Sequence, residues 1–268
     1  MRHLGNPDEA RAFLRCDPPL WAWPLCTLGP REWPFVRLWA DRAPNGNADA
    51  GVEDDQQPAS GVWVFDHPAW GGSVQAFGDP RVLGEMLRGI PLPGRAFVRM
   101  LPSAEALLTA RYRFDWLEPI LRMHVAPDRL LLPPEVELVE RLRQVDAHGL
   151  AALYAIWPES RFQTSRLRQG YQYMGIRRGG RIVAVAEQVL AARDDGLAVI
   201  QGVLVEPAYR GQGLGGAVTA ALTAHLFEEG AREVVLDVRE SNSAAQAAYG
   251  RIGYRPHATL LAGPGTSL

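Results

Sequence analysis

Read for the spacing of its apolar positions, the chain alternates between stretches of period two and stretches of period near 3.6, which predicts strands and helices in a mixed arrangement. In the first half, Phe13, Leu14, Leu20 and Leu25 fall at helical spacing within residues 7–28, interrupted by Pro18-Pro19. Strands are predicted at 35–39, 62–65, 73–77, 96–101 and 118–125, with helices at 80–88 and 103–112. The second half gives strands at 136–142, 171–177, 181–190, 197–205, 233–238 and 254–261. Helices at 146–154, 214–229 and 243–252 separate them, the first capped by Asp146 and the second ended by Gly230. Gly179-Gly180 supplies a two-residue hairpin turn. The fold class is therefore α/β (α+β), a mixed twisted sheet flanked by helices.

Two segments break the pattern. Residues 43–60 (APNGNADAGVEDDQQPAS) are polar and turn-rich, which predicts a mobile acidic loop. Prolines at 127, 133 and 134 make residues 126–134 a linker. At 268 residues the chain lies near the limit of one hydrophobic core, so two domains are expected, 1–130 and 131–268.

Charge narrows the function. With 28 basic and 30 acidic side chains, the net charge of −2 gives no electrostatic footprint for nucleic acid, and none is expected as a partner. All the basic residues are arginine. Without a lysine the chain can build neither a P-loop nor a pyridoxal Schiff base. No apolar run is long enough to span a membrane, and the N-terminal stretch lacks the apolar core of a signal peptide, so a cytoplasmic protein with no membrane partner is expected. Cys16 and Cys26 lie among bulky apolar residues and read as buried thiols. His3, His67, His124, His148, His225 and His257 have no ligand spacing, and no metal is expected.

Chemistry concentrates in residues 203–216 (VLVEPAYRGQGLGG), which join a strand to the start of an amphipathic helix. Glycines let a ligand approach the backbone, and the free N–H groups of a helix start attract an anion, so a phosphate belongs here. Gly211, Gly213 and Gly216 match the glycine pattern of a dinucleotide-binding oxidoreductase, with Asp237 placed as a ribose-binding acid. That reading fails on context. Residues 206–210 separate the strand from the first glycine, and too little chain follows for the remaining crossovers of that fold.

Arg210-x-x-Gly213-x-Gly215 instead resembles the pyrophosphate loop of the GNAT superfamily of acyl-CoA N-acetyltransferases. Leu236-x-Val238, Asn242, Tyr249 and Gly253-Tyr254 resemble that family's second motif, in the same order. The resemblance covers about residues 135–262 and implies acetyl-CoA as co-substrate. It places the pantetheine arm along Val203, Leu204 and Val205, and the pyrophosphate on the amides of Arg210, Gly211, Gln212, Gly213, Leu214, Gly215 and Gly216. Asn242 would reach the pantetheine amides, and Tyr249 would protonate the departing thiolate. Asn242 also reads as an N-cap, and Tyr249 as a core aromatic.

An amine nucleophile must lose a proton to a base, and the strand before the glycine loop holds no acid. Glu187 on the neighbouring strand is the best candidate, since Val183, Val185, Glu187 and Val189 share one face and a carboxylate among valines holds its proton more tightly. The competing account pairs Glu187 with an arginine at a sheet edge and leaves deprotonation to water. Seven of the eight tryptophans precede residue 131, where they suit a core or an apolar acceptor pocket. The element order from Ser73 to Val125 echoes that from Leu197 to Leu261 without its glycines, so the first domain reads as a degenerate GNAT-like half, in a tandem arrangement similar to glycine N-acyltransferase-like proteins. The expected function is direct transfer of acetyl from acetyl-CoA to a primary amine of a small molecule or peptide. A non-catalytic acyl-CoA sensor is the alternative, and monomer and homodimer both stay open.

The lysine-free composition carries a prediction of its own. Incubated with acetyl-CoA, the chain should gain at most one acetyl group on nitrogen, at its α-amine. Intact-mass analysis with peptide mapping checks this, and a second acetylated nitrogen contradicts it.

Overall fold

The structure is a computed structural model that describes residues 1–41, 59–157 and 162–268. The acidic segment expected at 43–60 falls, except for its last two residues, outside the described residues. Two compact units emerge, one formed by Met1–Leu121 with Ala258–Leu268 and the other by Arg122–His257.

In the first unit the elements are β1 (Arg2–Leu4), α1 (Pro7–Leu14), α2 (Ala22–Leu25), β2 (Val36–Ala40), β3 (Gly61–His67), β4 (Gly71–Phe77), α3 (Pro80–Gly89), β5 (Arg95–Met100), α4 (Glu105–Thr109) and β6 (Tyr112–Phe114). Strands β1 to β4 form an antiparallel run, and β5 then lies parallel to β4. A parallel neighbour needs a crossover, which α3 supplies. The alternation of Val62, Val64, Val74 and Ala76 puts four buried side chains on one face, where Leu83, Met86 and Leu87 of α3 cover them. The last residues of the chain close this sheet, Leu261–Thr266 running antiparallel to β5.

The second unit opens within β7 (Glu118–Val125) and continues through β8 (Val139–Leu142), α5 (Ala147–Tyr154), α6 (Thr164–Arg168), β9 (Tyr173–Arg178), β10 (Arg181–Ala192), β11 (Leu197–Val205), α7 (Leu214–Glu228), β12 (Glu233–Arg239) and α8 (Ser243–Arg251), then enters β13 (Arg255–Ser267). Strands β8 to β11 are antiparallel, β12 is parallel to β11, and β7 borders β12. Gly179 and Gly180, at φ 56° and 78°, make the β9–β10 hairpin turn with the left-handed geometry their sequence predicts. Helix α7 is not amphipathic as expected. It is apolar nearly all round and nine of its residues are buried, as befits a crossover helix enclosed by its neighbours.

A buried ion pair ties β7 to β12. The Arg122 guanidinium, with no exposed surface, donates from Nε to Asp237 Oδ1 at 2.8 Å and from Nη2 to Oδ2 at 3.0 Å. Asp237 is therefore held by an arginine, which removes the ribose-binding role of the dinucleotide alternative.

Several expectations differ from the structure. The units do not divide once at residue 130, because residues 122–125 belong with the second unit and 258–268 with the first. Hydropathy sees no boundary inside a continuous strand, and the Pro127 stretch is a short 3-10 turn within the second unit. Residues 134–138 form another 3-10 turn, leaving only Val139–Leu142 as strand. Asp146 does not cap α5 with its side chain; its carboxylate accepts from the Arg143 amide at 2.7 Å and from Arg177. Neither cysteine is in a disulfide, and Cys16, in the turn after α1, is exposed while Cys26, at the C-terminal end of α2, is half-buried.

Breaking a buried ion pair by removing one member costs about 3–5 kcal/mol. Arg122→Ala should therefore destabilise the second unit by that order, and Arg122→Ala combined with Asp237→Ala by less than the single change. Urea titration with hydrogen exchange at β12 amides measures both.

Candidate functional site

Strand β11 starts buried at Leu197–Ile200 and becomes accessible from Gln201 onward. The transition coincides with a bulge. Pairing with β10 slips between Val185 and Glu187, and opposite the slip Gly202 has φ 63°, a left-handed conformation that favours glycine. A bulge opens the ladder and frees backbone groups of Gly202 and Val203 from pairing.

Beyond β11 the chain turns through Pro207–Tyr209 and enters α7 at Gly213. Gly211 and Gly213 have φ 77° and 76°, so the loop depends on glycine at both positions. The first helical bond runs from the Ala217 amide to the Gly213 carbonyl at 3.0 Å, which leaves the amides of Leu214, Gly215 and Gly216 to point out of the helix end. No side chain caps Gly213, and the first turn of α7 holds no acid. The helix start is a positive pole, and the nearest carboxylate is that of Glu135, 3.4–3.6 Å from where a Cβ on Gly213 would stand.

Helix α8 forms the facing wall. Asn242 starts it, its side-chain oxygen accepting from the Ala245 amide at 3.2 Å, so the cap is real and the amide nitrogen remains for other partners. Tyr249 lies on the same helix, 7% exposed, and burial pushes its hydroxyl up to about 12. Tyr254 packs against it with ring centroids 6.1 Å apart, and its own hydroxyl meets Thr223 at 2.7 Å.

Between these walls lies a cleft of about 640 Å³. Val203, Leu204, Val205, Arg210, Gly211, Gly213, Leu214, Gly215, Gly216, Asn242 and Tyr249 line it. Gln212 does not line it, and is exposed at the turn. Sequence reasoning missed Trp157, Tyr209 and Arg251, which also line the cleft. Arg210 donates from Nε to the Val205 carbonyl at 3.3 Å, with its guanidinium 5.8 Å from the Trp157 ring centre. Trp157 is far from either motif in sequence and carries no local signal.

Glu187 is not among those lining residues. It is 3% exposed and three polar side chains donate to its carboxylate, which the valines sharing its strand face do not announce. Oε1 accepts from Tyr173 at 2.7 Å and from Arg166 Nη1 at 2.7 Å, while Oε2 accepts from Tyr154 at 3.0 Å. The extra residue of the bulge lies on β11, and β10 keeps its register with β9 from Ala184 to Glu187, while α5 and α6 bring Tyr154 and Arg166 to the carboxylate. Burial, followed by the charge of Glu187, raises the pKa of both tyrosines. The pairing with arginine that the competing account foresaw is present, in a buried cluster. A Cβ on Gly202 would lie 2.9 Å from Tyr154 Oη and 3.0 Å from Glu187 Oε2, so the cluster abuts the bulge. A glycine inside a strand was the one sequence signal for this contact.

The first unit has the same strand–helix–strand crossover but a different helix start. Asp79 caps α3, its carboxylate accepting from the Arg81 amide at 2.7 Å, and the Arg81 side chain holds that carboxyl below its usual value. The anion position is filled from within the chain.

The sequence pattern of the acetyltransferase (GNAT) family matches residues 139–254. A stretch of 58 residues is 47% identical to a mycothiol acetyltransferase of Kocuria rhizophila, covering 22% of this chain and 19% of that protein. Among solved structures, a GCN5-related N-acetyltransferase from Kribbella flavida superposes with a TM-score of 0.57 at 23% identity, over 77% of this chain and 86% of that one. A Drosophila protein reaches 0.65 at 16% identity, over 99% and 97%. These likenesses establish the fold.

Because the folded chain holds the Tyr249 proton more tightly than the unfolded chain, this residue's contribution to stability is complete below pH 10 and is lost as pH rises toward about 12. In alkaline difference spectra of wild type against Tyr249→Phe, the missing phenolate should appear near pH 12. Ionisation near pH 10 would contradict this.

Proposed function

Because its C-terminal domain, residues 139–254, belongs to the GNAT acetyltransferase family, we propose that the chain transfers an acetyl group from acetyl-CoA to a primary amine of a small molecule or peptide. The observation that carries the reading is the uncapped start of α7, which opens into a cleft whose opposite wall presents Tyr249.

Pyrophosphate suits the amides from Arg210 to Gly216, where two left-handed glycines keep the backbone free of side chains. Arg210 adds a permanent positive charge. The pantetheine arm runs along Val203–Val205 as an added strand would, its amides meeting the Asn242 nitrogen. At the bulge a freed amide faces the thioester oxygen and stabilises the charge that develops there. The amine nitrogen bonds to the carbonyl carbon as the carbon–sulfur bond breaks, and Tyr249 gives its proton to the sulfur. A phenol that keeps its proton to about 12 is in the form required of that acid. Glu187 takes the proton of the amine. The first unit is a second copy of the fold that has lost its nucleotide site, Asp79 having replaced the anion.

The test measures thiol release from acetyl-CoA across amino acids, polyamines, aminoglycosides, free peptide N-termini and the acceptor of a mycothiol acetyltransferase. Turnover with one acceptor is expected, and silence with all of them alongside tight CoA binding indicates a sensor. Arg210→Glu with Gly213→Glu should weaken CoA binding about 100-fold, the equivalent of ~3 kcal/mol, because it places acids over the pyrophosphate amides. Unchanged binding, measured calorimetrically, refutes the placement. Tyr249→Phe should lower kcat by about 100-fold and leave CoA affinity intact.

A further inference from the structure

We propose that the hydroxyl of Tyr154, rather than the carboxylate of Glu187, touches the acceptor amine, and that it relays the amine's proton to Glu187. The inference rests on the acyl-transfer reading and adds a residue that neither motif contains.

The argument is one of hydrogen-bond polarity. A phenol has one proton, and Tyr154 commits it to Glu187 Oε2 at 3.0 Å. Its oxygen therefore has lone pairs but no proton to offer a second group, so an approaching amine can meet it only by donating an N–H. That orientation turns the nitrogen lone pair away from Tyr154 and toward the thioester.

The carboxylate is asymmetric in the matching sense. Oε1 is shared by Tyr173 and Arg166, both at 2.7 Å, whereas among the described residues Oε2 accepts from Tyr154 alone. The oxygen that faces Tyr154 is the one with capacity for another proton, and Arg166 fixes the carboxylate by its other end.

Position supports the assignment. Tyr154 Oη and Glu187 Oε2 are the groups that a side chain on Gly202 would strike, at 2.9 Å and 3.0 Å, and Gly202 precedes Val203, where the cleft-lining strand segment begins.

The step balances. An ammonium acceptor first loses one proton to solvent. As the neutral amine forms its nitrogen–carbon bond, its N–H proton passes to Tyr154 Oη while the Tyr154 proton passes to Glu187 Oε2. The carbon–sulfur bond breaks and the thiolate takes the Tyr249 proton. Glu187 then releases its proton through Tyr154 to solvent, and Tyr249 regains one, leaving amide and CoA thiol.

The experiment compares Tyr154→Phe, Tyr173→Phe, Glu187→Gln and the Tyr154→Phe/Glu187→Gln double variant in the thiol-release assay, using the acceptor that the wild type turns over. Tyr154→Phe should lower kcat about 100-fold with calorimetric CoA affinity unchanged. Tyr173→Phe, which removes an equivalent bond to Glu187, should lower it less than tenfold. The double variant should be no slower than the slower single one, since both remove one relay. A wild-type rate plotted against deuterium content should bow, because two protons move together, and this measurement stands even if a variant does not fold. Wild-type kcat in Tyr154→Phe, additive losses in the double variant, or a linear deuterium plot overturns the relay while leaving acyl transfer intact. No turnover by the wild type with any acceptor overturns the acyl-transfer reading itself, and the relay with it.

Discussion

A helix of fifteen residues begins with amide groups that no intrahelical carbonyl can satisfy, and the site is organised around how α7 leaves them open. Three of the described helix starts are closed by a side chain, Asn6 at α1, Asp79 at α3 and Asn242 at α8. At α7 that position is Gly213, in a left-handed conformation that supplies no oxygen, and the turn behind it holds no acid. The unmet amides and the helix dipole then act together on whatever anion reaches the end of the cleft. The glycines are needed because a side chain at Gly211 or Gly213 would be strained by the backbone, whereas at Gly216 a Cβ would meet only ordinary contacts.

The two units show how small a change decides this. Each carries a parallel strand pair bridged by a helix, β4–α3–β5 in one and β11–α7–β12 in the other. The first binds its own helix start with Asp79, whose charge is further balanced by Arg81. A carboxylate stands at the N-cap of α3 where α7 has a glycine without a side chain. Shared topology does not imply shared chemistry; the residue at the N-cap determines which helix end can accept a ligand.

Much of this was legible in the sequence, for identifiable reasons. Glycine and proline positions report backbone geometry directly, so the Gly179-Gly180 turn and the 211–216 loop could be placed from residue type alone. Strand and helix order followed from apolar spacing because most elements bury one clear face. The domain division was not legible, since it falls inside β7 and within a few residues of the start of β13, where side-chain character does not change. Cys16 and Cys26 misled because apolar neighbours in sequence do not fix which way a turn residue points. Trp157 reaches the cleft through tertiary packing, and nothing near it in the chain announces that.

Glu187 shows where periodicity stops being informative. Alternation along β10 correctly makes it an inward residue, 3% exposed, but alternation does not say which side chains from other elements reach it. Its partners come from three other elements, Tyr173 from β9, Tyr154 from α5 and Arg166 from α6. A carboxylate in an apolar pocket would lack hydrogen-bond donors, whereas this one is held by two phenols and a guanidinium. The residue type alone allowed both. What separates them is which hydroxyls arrive, and a glycine on the opposite strand leaves room for that, since a Cβ at 202 would lie 2.9 Å from Tyr154 Oη and 3.0 Å from Glu187 Oε2 and one of the two would have to shift.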